Sequence, residues 1–303
     1  MNNAEKKGAN LSIMFDCKRR PIKLFRWGIL FAALGIVYYS TFENLSADWI
    51  RDPDYSHGFL IPILSLFFVW QRRCQLRDEP AAPSSLGLPF IIIGLMMLVL
   101  GNLAAESFTM RISFLVVVAG LSVFLLGWGH FKLLLWPIAF LVFMIPVPSI
   151  LMQKITFPMQ LFASRVAEES LRIFAVPVLR EGNIIYLPET TLEIAKACSG
   201  IRSLMSLLVI GVLFAYLTKC QVWQKVLLVI GCFPIAIVVN SLRVSTTGIL
   251  ANYYGKTVSE GFFHGFSGYV LFVVAFALLA LIKLVLFKVE QCPACFQGKN
   301  HNS

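Results

Sequence analysis

Three reactive side chains stand in short polar motifs at the edges of apolar stretches. Cys198 lies in Ala-Cys-Ser-Gly-Ile-Arg-Ser, Arg243 in Asn-Ser-Leu-Arg-Val, and His264 in Phe-Phe-His-Gly-Phe-Ser-Gly. A cysteine thiolate is a nucleophile, a histidine relays a proton near neutral pH, and a fixed cation stabilises a tetrahedral oxyanion. Acyl transfer needs all three groups, so the set predicts that chemistry if the fold brings them together.

Cys198 directly precedes an apolar stretch that begins at Ile201, and Ser199 is a candidate N-cap for that helix. The N-terminus of a helix favours the thiolate, and Arg202 adds a cation one turn away. The competing interpretation is that Cys198 is a small packing residue, which is the commoner role of a membrane cysteine. The expected membrane topology argues against it, because it gives Cys198 no disulfide partner on its own side. The other cysteines are Cys17, Cys74, Cys220, Cys292 and Cys295, predicted to be cytoplasmic, and Cys232, predicted to lie within a span.

Arg243 forms a polar stripe at helical spacing with Asn240 and Thr247, on a helix otherwise made of Val, Ile and Leu. An arginine near the end of a span can simply lift its guanidinium to the interface. An ionisable residue inside a span is equally a candidate for function. For Arg243 alone, the two interpretations have similar weight.

His264 begins the last apolar stretch among glycines that allow another backbone or a substrate to approach closely. A single histidine of this kind is more often an interface residue than a catalyst. Its co-occurrence with Cys198 and Arg243 at helix ends on one predicted side favours catalysis. Glu193 and Glu260 are the candidates for a carboxylate that orients the ring.

A second histidine, His57, lies in Asp-Tyr-Ser-His-Gly-Phe at the start of the second apolar stretch. It either shapes the same site or is an ordinary interfacial residue. A zinc site would have to use His57, Cys198 and His264, but that side carries neither HExxH nor paired CxxC motifs. The lone Cys292-Pro-Ala-Cys295 favours a functionally neutral tail over half of a metal site. We therefore expect no metal and no cofactor.

The composition places the chain in a membrane. Of its 303 residues 58% are hydrophobic and only 14% are charged, and the mean hydropathy is +0.77, too high for a soluble domain. The net charge of +10 comes from short basic clusters between apolar stretches. Such clusters favour membrane lipids as partners and argue against nucleic acid.

The apolar stretches predict an all-α polytopic membrane protein with about eight spans. They lie at about 24–42, 58–71, 86–105, 108–127, 131–149, 201–217, 226–248 and 265–287. The first stretch is as long as a span and lacks a small-residue cleavage site, so we expect it to remain as an anchor.

Basic residues in short loops predict the orientation, because they accumulate on the cytoplasmic side. The basic N-terminus, 1–23, is expected inside, the acidic loop around Asp52 outside, and the loop around Arg72 inside. Continued alternation puts 150–200 and 249–264 outside and the tail, 288–303, inside. Cys198, Arg243 and His264 then share the outward, periplasmic side of a bacterial inner membrane.

The segment 150–200 is predicted to be an interfacial helix followed by a short β-hairpin. Five charges make 151–178 too costly for a span, and they predict ion pairs of Arg165 with Glu168 and Glu169, and of both glutamates with Arg172. Two strands around Pro188-Glu189 then lead into Cys198. If 151–178 did span the membrane, the three reactive residues would still share a side, but it would be the cytoplasmic one.

An ordered set of motifs resembles the exosortase family of bacterial membrane transpeptidases. The motifs are Tyr55-Ser56-His57-Gly58 with Leu60-Ile61-Pro62, Glu181-Gly182-Asn183, Ala197-Cys198-Ser199-Gly200-Ile201-Arg202-Ser203, Asn240-Ser241-Leu242-Arg243-Val244 and His264-Gly265-Phe266-Ser267-Gly268. The resemblance implies that Cys198 is the nucleophile, His264 the proton relay and Arg243 the cation for the oxyanion. His57, Ser199, Arg202, Asn240 and Ser267 become supporting candidates.

The resemblance also implies a substrate class: exported proteins that end in a Pro-Glu-Pro-like motif, a transmembrane helix and a basic tail. Cleavage would pass through an acyl-thioester to an acceptor that the sequence does not identify. The alternatives are a transporter or flippase, and a non-catalytic component of a secretion or exopolysaccharide complex. For each of these functions we expect one membrane domain, 1–303. It has five spans in 24–149 and three spans with the reactive residues in 201–287.

Overall fold

The computed structural model of the chain is mostly helical, with one small sheet. It describes residues 21–188, 191–193, 200–218, 221–254, 270 and 273–284. The contacts divide the chain into two units, Met1–Ala47 and Asp48–Ser303. In order, the α-helices are α1 Pro21–Val37, α2 Tyr39–Arg51, α3 Leu60–Gln71, α4 Arg73–Asp78, α5 Gly87–Leu103, α6 Ser107–Leu126, α7 Trp128–Phe140, α8 Ser149–Ile173, α9 Gly200–Leu217, α10 Val222–Tyr254 and α11 Val273–Leu284. Two 3₁₀ helices, Pro53–Phe59 and Leu141–Met144, precede α3 and follow α7.

The predicted apolar stretches correspond to helices, but eight spans are not confirmed. Within the described part of the chain, α6 and residues 222–250 of α10 are long and apolar enough to cross a bilayer. Two bent helix pairs, α1 with α2 and α7 with α8, would raise the number to four. The predicted second span is a helix of only 12 residues, α3, which rises about 18 Å against a hydrocarbon core of about 30 Å.

Helices α5 and α6 form a tight antiparallel pair because small residues line their contact. Gly94 faces Val117, and a Cβ added there would lie 2.6 Å from the valine Cγ2. Gly120 of α6 faces the backbone of Ile91, with 2.8 Å to its nitrogen. The opposite face of α5 exposes large side chains such as Ile92, Met96 and Val99, as a helix in contact with lipid would.

Local sequence signals explain where α6 begins and ends. The Glu106 carboxylate caps its first turn by accepting from the backbone N–H groups of Phe108 at 3.0 Å and Thr109 at 2.6 Å. The hydrogen bonds with Thr109 lower the pKa of Glu106. The helix ends at Gly127, whose positive φ of 92° suits a glycine after a C-terminus.

The sheet between α8 and α9 has three antiparallel strands, β1 Leu179–Glu181, β2 Ile184–Tyr186 and β3 Thr191–Glu193, in that order. The predicted hairpin is confirmed as the β2–β3 pair, with Ile185 opposite Leu192. Sequence reasoning missed β1, which pairs with β2 through a turn at Gly182, where φ is +63°.

Candidate functional site

The polar stripe of α10, formed by Asn240, Arg243 and Thr247, faces the protein interior. Asn240 is buried and Arg243 and Thr247 are half-buried, whereas Leu242 is 51% and Val238 59% exposed on the other face. This orientation argues against the interpretation that Arg243 only reaches for the interface, since a snorkelling arginine lies along the exposed face of its helix.

A contact between two serines joins α10 to α8 close to Arg243. Ser241 Oγ donates to the carbonyl of Ile237 at 2.8 Å, and Ser245 Oγ lies 3.0 Å from the carbonyl of Ser241 and 3.2 Å from Ser170 Oγ of α8. This contact between the two serines is one that the sequence patterns did not reveal. It joins α10 to α8 within one turn of Arg243.

Helix α9 begins at Gly200, directly after the predicted cap Ser199. Arg202 lies in its first turn. Cys198 and Ser199 themselves lie outside the described residues, as do His264, Ser267 and Glu260. The structure therefore does not test how the three reactive side chains approach each other.

The packing of α9 on α10 nevertheless relates Arg243 to the start of α9. Cys232 Sγ of α10 lies 3.5 Å from the carbonyl of Leu207, and a Cβ at Gly211 would collide with the same sulfur. The helices are joined by the short connection 218–221 and run antiparallel. Eleven residues along α10, about 16.5 Å, lead from Cys232 to Arg243, and the same step back along α9 from Gly211 reaches Gly200, its first residue. Arg243 is thus level with the beginning of α9.

Hydrophobic packing supports the alignment of Arg243 with the beginning of α9. Leu204, one turn into α9, is 1% exposed and packs in one cluster with Val239 of α10 and Met159 of α8. Val244, next to Arg243, belongs to a second cluster with Ala167 of α8 and Ile185 of the sheet. The segments that flank Cys198 and Arg243 are therefore held by the same helix, α8.

The sheet that precedes Cys198 is attached to α8 by polar contacts. Arg180 Nε donates to Glu168 Oε2 at 2.6 Å, and Ser164 Oγ donates to the carbonyl of Gly182 at 2.9 Å. Strand β3 ends at Glu193, five residues before Cys198. A tether of five residues spans at most about 18 Å, so anchoring the sheet restricts where residue 198 can lie.

The charges of α8 pair differently from the prediction. Glu168 binds Arg172 at 2.7 Å, as expected from their spacing, but its second partner is Arg180 of β1. Arg165 and Glu169 are exposed and form no ion pair with any described residue. The predicted pairs that involve them are therefore wrong, because the sheet offers Glu168 a partner that a helical pattern cannot show.

His57 lies in the 3₁₀ helix Pro53–Phe59, which Asp52 caps by accepting from the backbone N–H of Asp54 at 2.9 Å. Burial lowers the pKa of His57, and hydrogen bonding to backbone groups of Phe143 and Asp54 opposes this shift. The lowered pKa favours the neutral imidazole.

The 3₁₀ helix with His57 packs against α9, the helix that follows Cys198. Gly58 is buried against the indole of Trp49, which leaves no room for a side chain there. Trp49 Nε1 in turn donates to the carbonyl of Met144 at 2.9 Å. These contacts give a physical reason for the His-Gly pair and fix His57 on a rigid support.

Among the residues that the structure describes, no three His, Cys, Asp or Glu side chains come together as a metal site would require. A half-buried cation on Arg243, the imidazole of His57 and the beginning of α9 are the chemical features that these residues contribute. They suit a nucleophilic reaction at the N-terminal end of α9.

A known protein family matches most of the chain. A family model described as transmembrane exosortase matches residues 49–281, which includes all five motifs. No curated protein and no solved structure matches the chain.

Proposed function

Because the chain belongs to the transmembrane exosortase family, we propose that it is a cysteine transpeptidase that cuts the C-terminal sorting signals of exported proteins. The substrate class is an exported chain with a Pro-Glu-Pro-like motif, a transmembrane helix and a basic tail. The observation that carries the proposal is the helix register, since Arg243 is level with the first turn of the helix that follows Cys198.

In the proposed reaction the Cys198 thiolate attacks the carbonyl carbon of the scissile peptide bond. The C–S bond forms as the carbonyl electron pair moves to oxygen, where Arg243 stabilises the negative charge. The intermediate collapses, the C–N bond breaks, and His264 gives its proton to the leaving amine. An acceptor nucleophile then attacks the thioester, passes its proton to His264 and releases the thiolate.

Arg243 suits this role better than Arg202. A cation acts best at an oxyanion when its position is fixed before the reaction. The contact of Ser245 with Ser170 and the burial of Val244 hold this part of its helix against α8 and the sheet. We assign Arg202 to favouring the thiolate and His57 to shaping the site.

The proposed location is a bacterial inner membrane, with both termini in the cytoplasm and Cys198 facing the periplasm. Thiol labelling of intact spheroplasts tests the side. A membrane-impermeant maleimide should label Cys198 and spare Cys74, an exposed cysteine predicted to be cytoplasmic. The reverse pattern would invert the topology.

The decisive experiment is co-expression with a tagged substrate that carries the proposed tail. C198A, R243A and H264A should each abolish processing while the proteins remain folded. C74A and R73A are matched controls, since both side chains are exposed and lie at the far end of the bundle. The wild type should also accumulate a hydroxylamine-sensitive adduct with the substrate, and C198A should not. Processing at the wild-type rate by folded C198A would instead support a non-catalytic role in a complex.

A further inference from the structure

A large cavity lies at the end of the bundle opposite to Arg243. Its volume is about 1000 Å³, and it is bounded by α3, α4, α7, α9 and α10. Lys225 lines it, and Lys225 and Arg243 are eighteen residues apart on the same helix, which corresponds to about 27 Å. The cavity therefore takes no part in the chemistry assigned to Cys198.

The rim of the cavity is positively charged. Arg72 and Lys225 line it and are both half-buried, and the described residues of the lining include no Asp or Glu. The Arg72 guanidinium donates to the carbonyl of Leu133 at 2.7 Å and to the hydroxyl of Tyr216 at 3.1 Å. These neutral partners hold the cation in place without cancelling its charge, so the rim attracts an anion.

Below the rim the cavity is apolar and aromatic. Trp136 stacks on Tyr216 with ring centroids 5.0 Å apart and an interplanar angle of 5°, and Phe140 and Ala215 continue the wall. Ile230, also in the lining, is 56% exposed. In a membrane protein an exposed side chain of this kind borders lipid, so the cavity is accessible from the side.

We propose that this cavity binds one anionic phospholipid of the surrounding membrane. Its phosphate lies between Arg72 and Lys225, and an acyl chain extends along Trp136 and Phe140. Basic pockets between membrane helices, at the side where positive residues accumulate, recognise anionic headgroups in this way. The volume is at the upper end of the roughly 300–1,000 Å³ of small-molecule sites, as a bulky amphiphile requires.

Native mass spectrometry of the full-length protein, delipidated in mild detergent, tests the proposal with phosphatidylglycerol and phosphatidylcholine. Phosphatidylglycerol should bind in preference to phosphatidylcholine. At about 1 kcal/mol for each basic residue, R72Q/K225Q should weaken its binding roughly thirty-fold. The matched control R73Q/K132Q removes the same charge from exposed residues outside the lining and should bind as the wild type does.

Two further variants keep the test valid if R72Q/K225Q does not fold. K225Q preserves every Arg72 contact and should weaken binding about five-fold. A139W fills the cavity from its lining and should abolish binding while both charges remain. Equal binding of phosphatidylcholine, equal loss in R73Q/K132Q, or unchanged binding in A139W would overturn the proposal. So would competition by glycerol phosphate at the same concentration as the lipid, since it would indicate a site for soluble phosphates.

Discussion

The salt bridge between Arg180 and Glu168 should stabilise the protein more than the salt bridge between Arg172 and Glu168 does. Glu168 binds two arginines at nearly the same distance, 2.6 Å to Arg180 and 2.7 Å to Arg172. Their surroundings differ, because the side chain of Arg180 is 23% exposed and that of Arg172 is 60% exposed. We predict that R180Q destabilises the protein far more than R172Q does.

The magnitudes follow from exposure and geometry. A charge-assisted hydrogen bond shielded from water contributes about 1.5–3 kcal/mol, so R180Q should lower the free energy of unfolding by about 2 kcal/mol. An exposed pair at i and i+4 contributes about 0.3–0.5 kcal/mol, so R172Q should cost less than about 0.5 kcal/mol. Both substitutions remove one positive charge next to the same carboxylate, so R172Q is a matched control.

Reversible unfolding of the purified protein in mixed micelles, by titration with a denaturing detergent, would measure both values. Substrate processing should follow the same order, since Arg180 anchors the sheet that leads to Cys198 and Arg172 lies on the exposed face of α8. Equal costs for the two variants, or a cost below about 0.5 kcal/mol for R180Q, would refute the inference that the salt bridge attaches the sheet to α8.

Three further predictions concern other contacts. G94L should lower the free energy of unfolding by about 1–3 kcal/mol, because the larger side chain would overpack against Val117. G35A, where the space around the glycine is open, should leave it nearly unchanged in the same titration. D48N should cost about 1.5 kcal/mol, because Arg111 is 5% exposed and would lose its charged partner, while Asp48 is 45% exposed and water there would compensate in part; a cost below about 0.5 kcal/mol would contradict this. The pKa of His57 is lower in the folded state than in the unfolded state, so stability should fall as the pH drops below about 6.5, and H57Q should show a smaller fall between pH 7 and 5.

The positions of most helices follow from local sequence. Apolar stretches bounded by polar residues predicted α5, α6 and α9 to within about two residues, because a helix in lipid must satisfy its own backbone hydrogen bonds. The β2–β3 hairpin was also predictable, since Pro188 and Glu189 interrupt two runs of strand-forming residues. The bounds of these helices and the position of the hairpin are determined by residues that are close in sequence.

The number of spans was less predictable. Hydropathy counts apolar residues but does not detect bends, and the structure bends α1 against α2 by 67° and α7 against α8 by 79°. Each bend divides apolar or amphipathic sequence into helices with different directions. Whether such a pair crosses the membrane once or turns back depends on packing, which periodicity does not record.

The sequence by itself predicted that Cys198, Arg243 and His264 lie near the ends of apolar stretches, in motifs that resemble the exosortase family, because residue types and spacing are local properties of the chain. The tertiary structure alone decided that Arg243 is level with the first turn of α9 and faces protein, and that Glu168 joins α8 to the sheet before Cys198. The helix register depends on how Gly211 accommodates Cys232 across two packed helices. Such contacts join residues that are far apart in sequence, so no local pattern determines them.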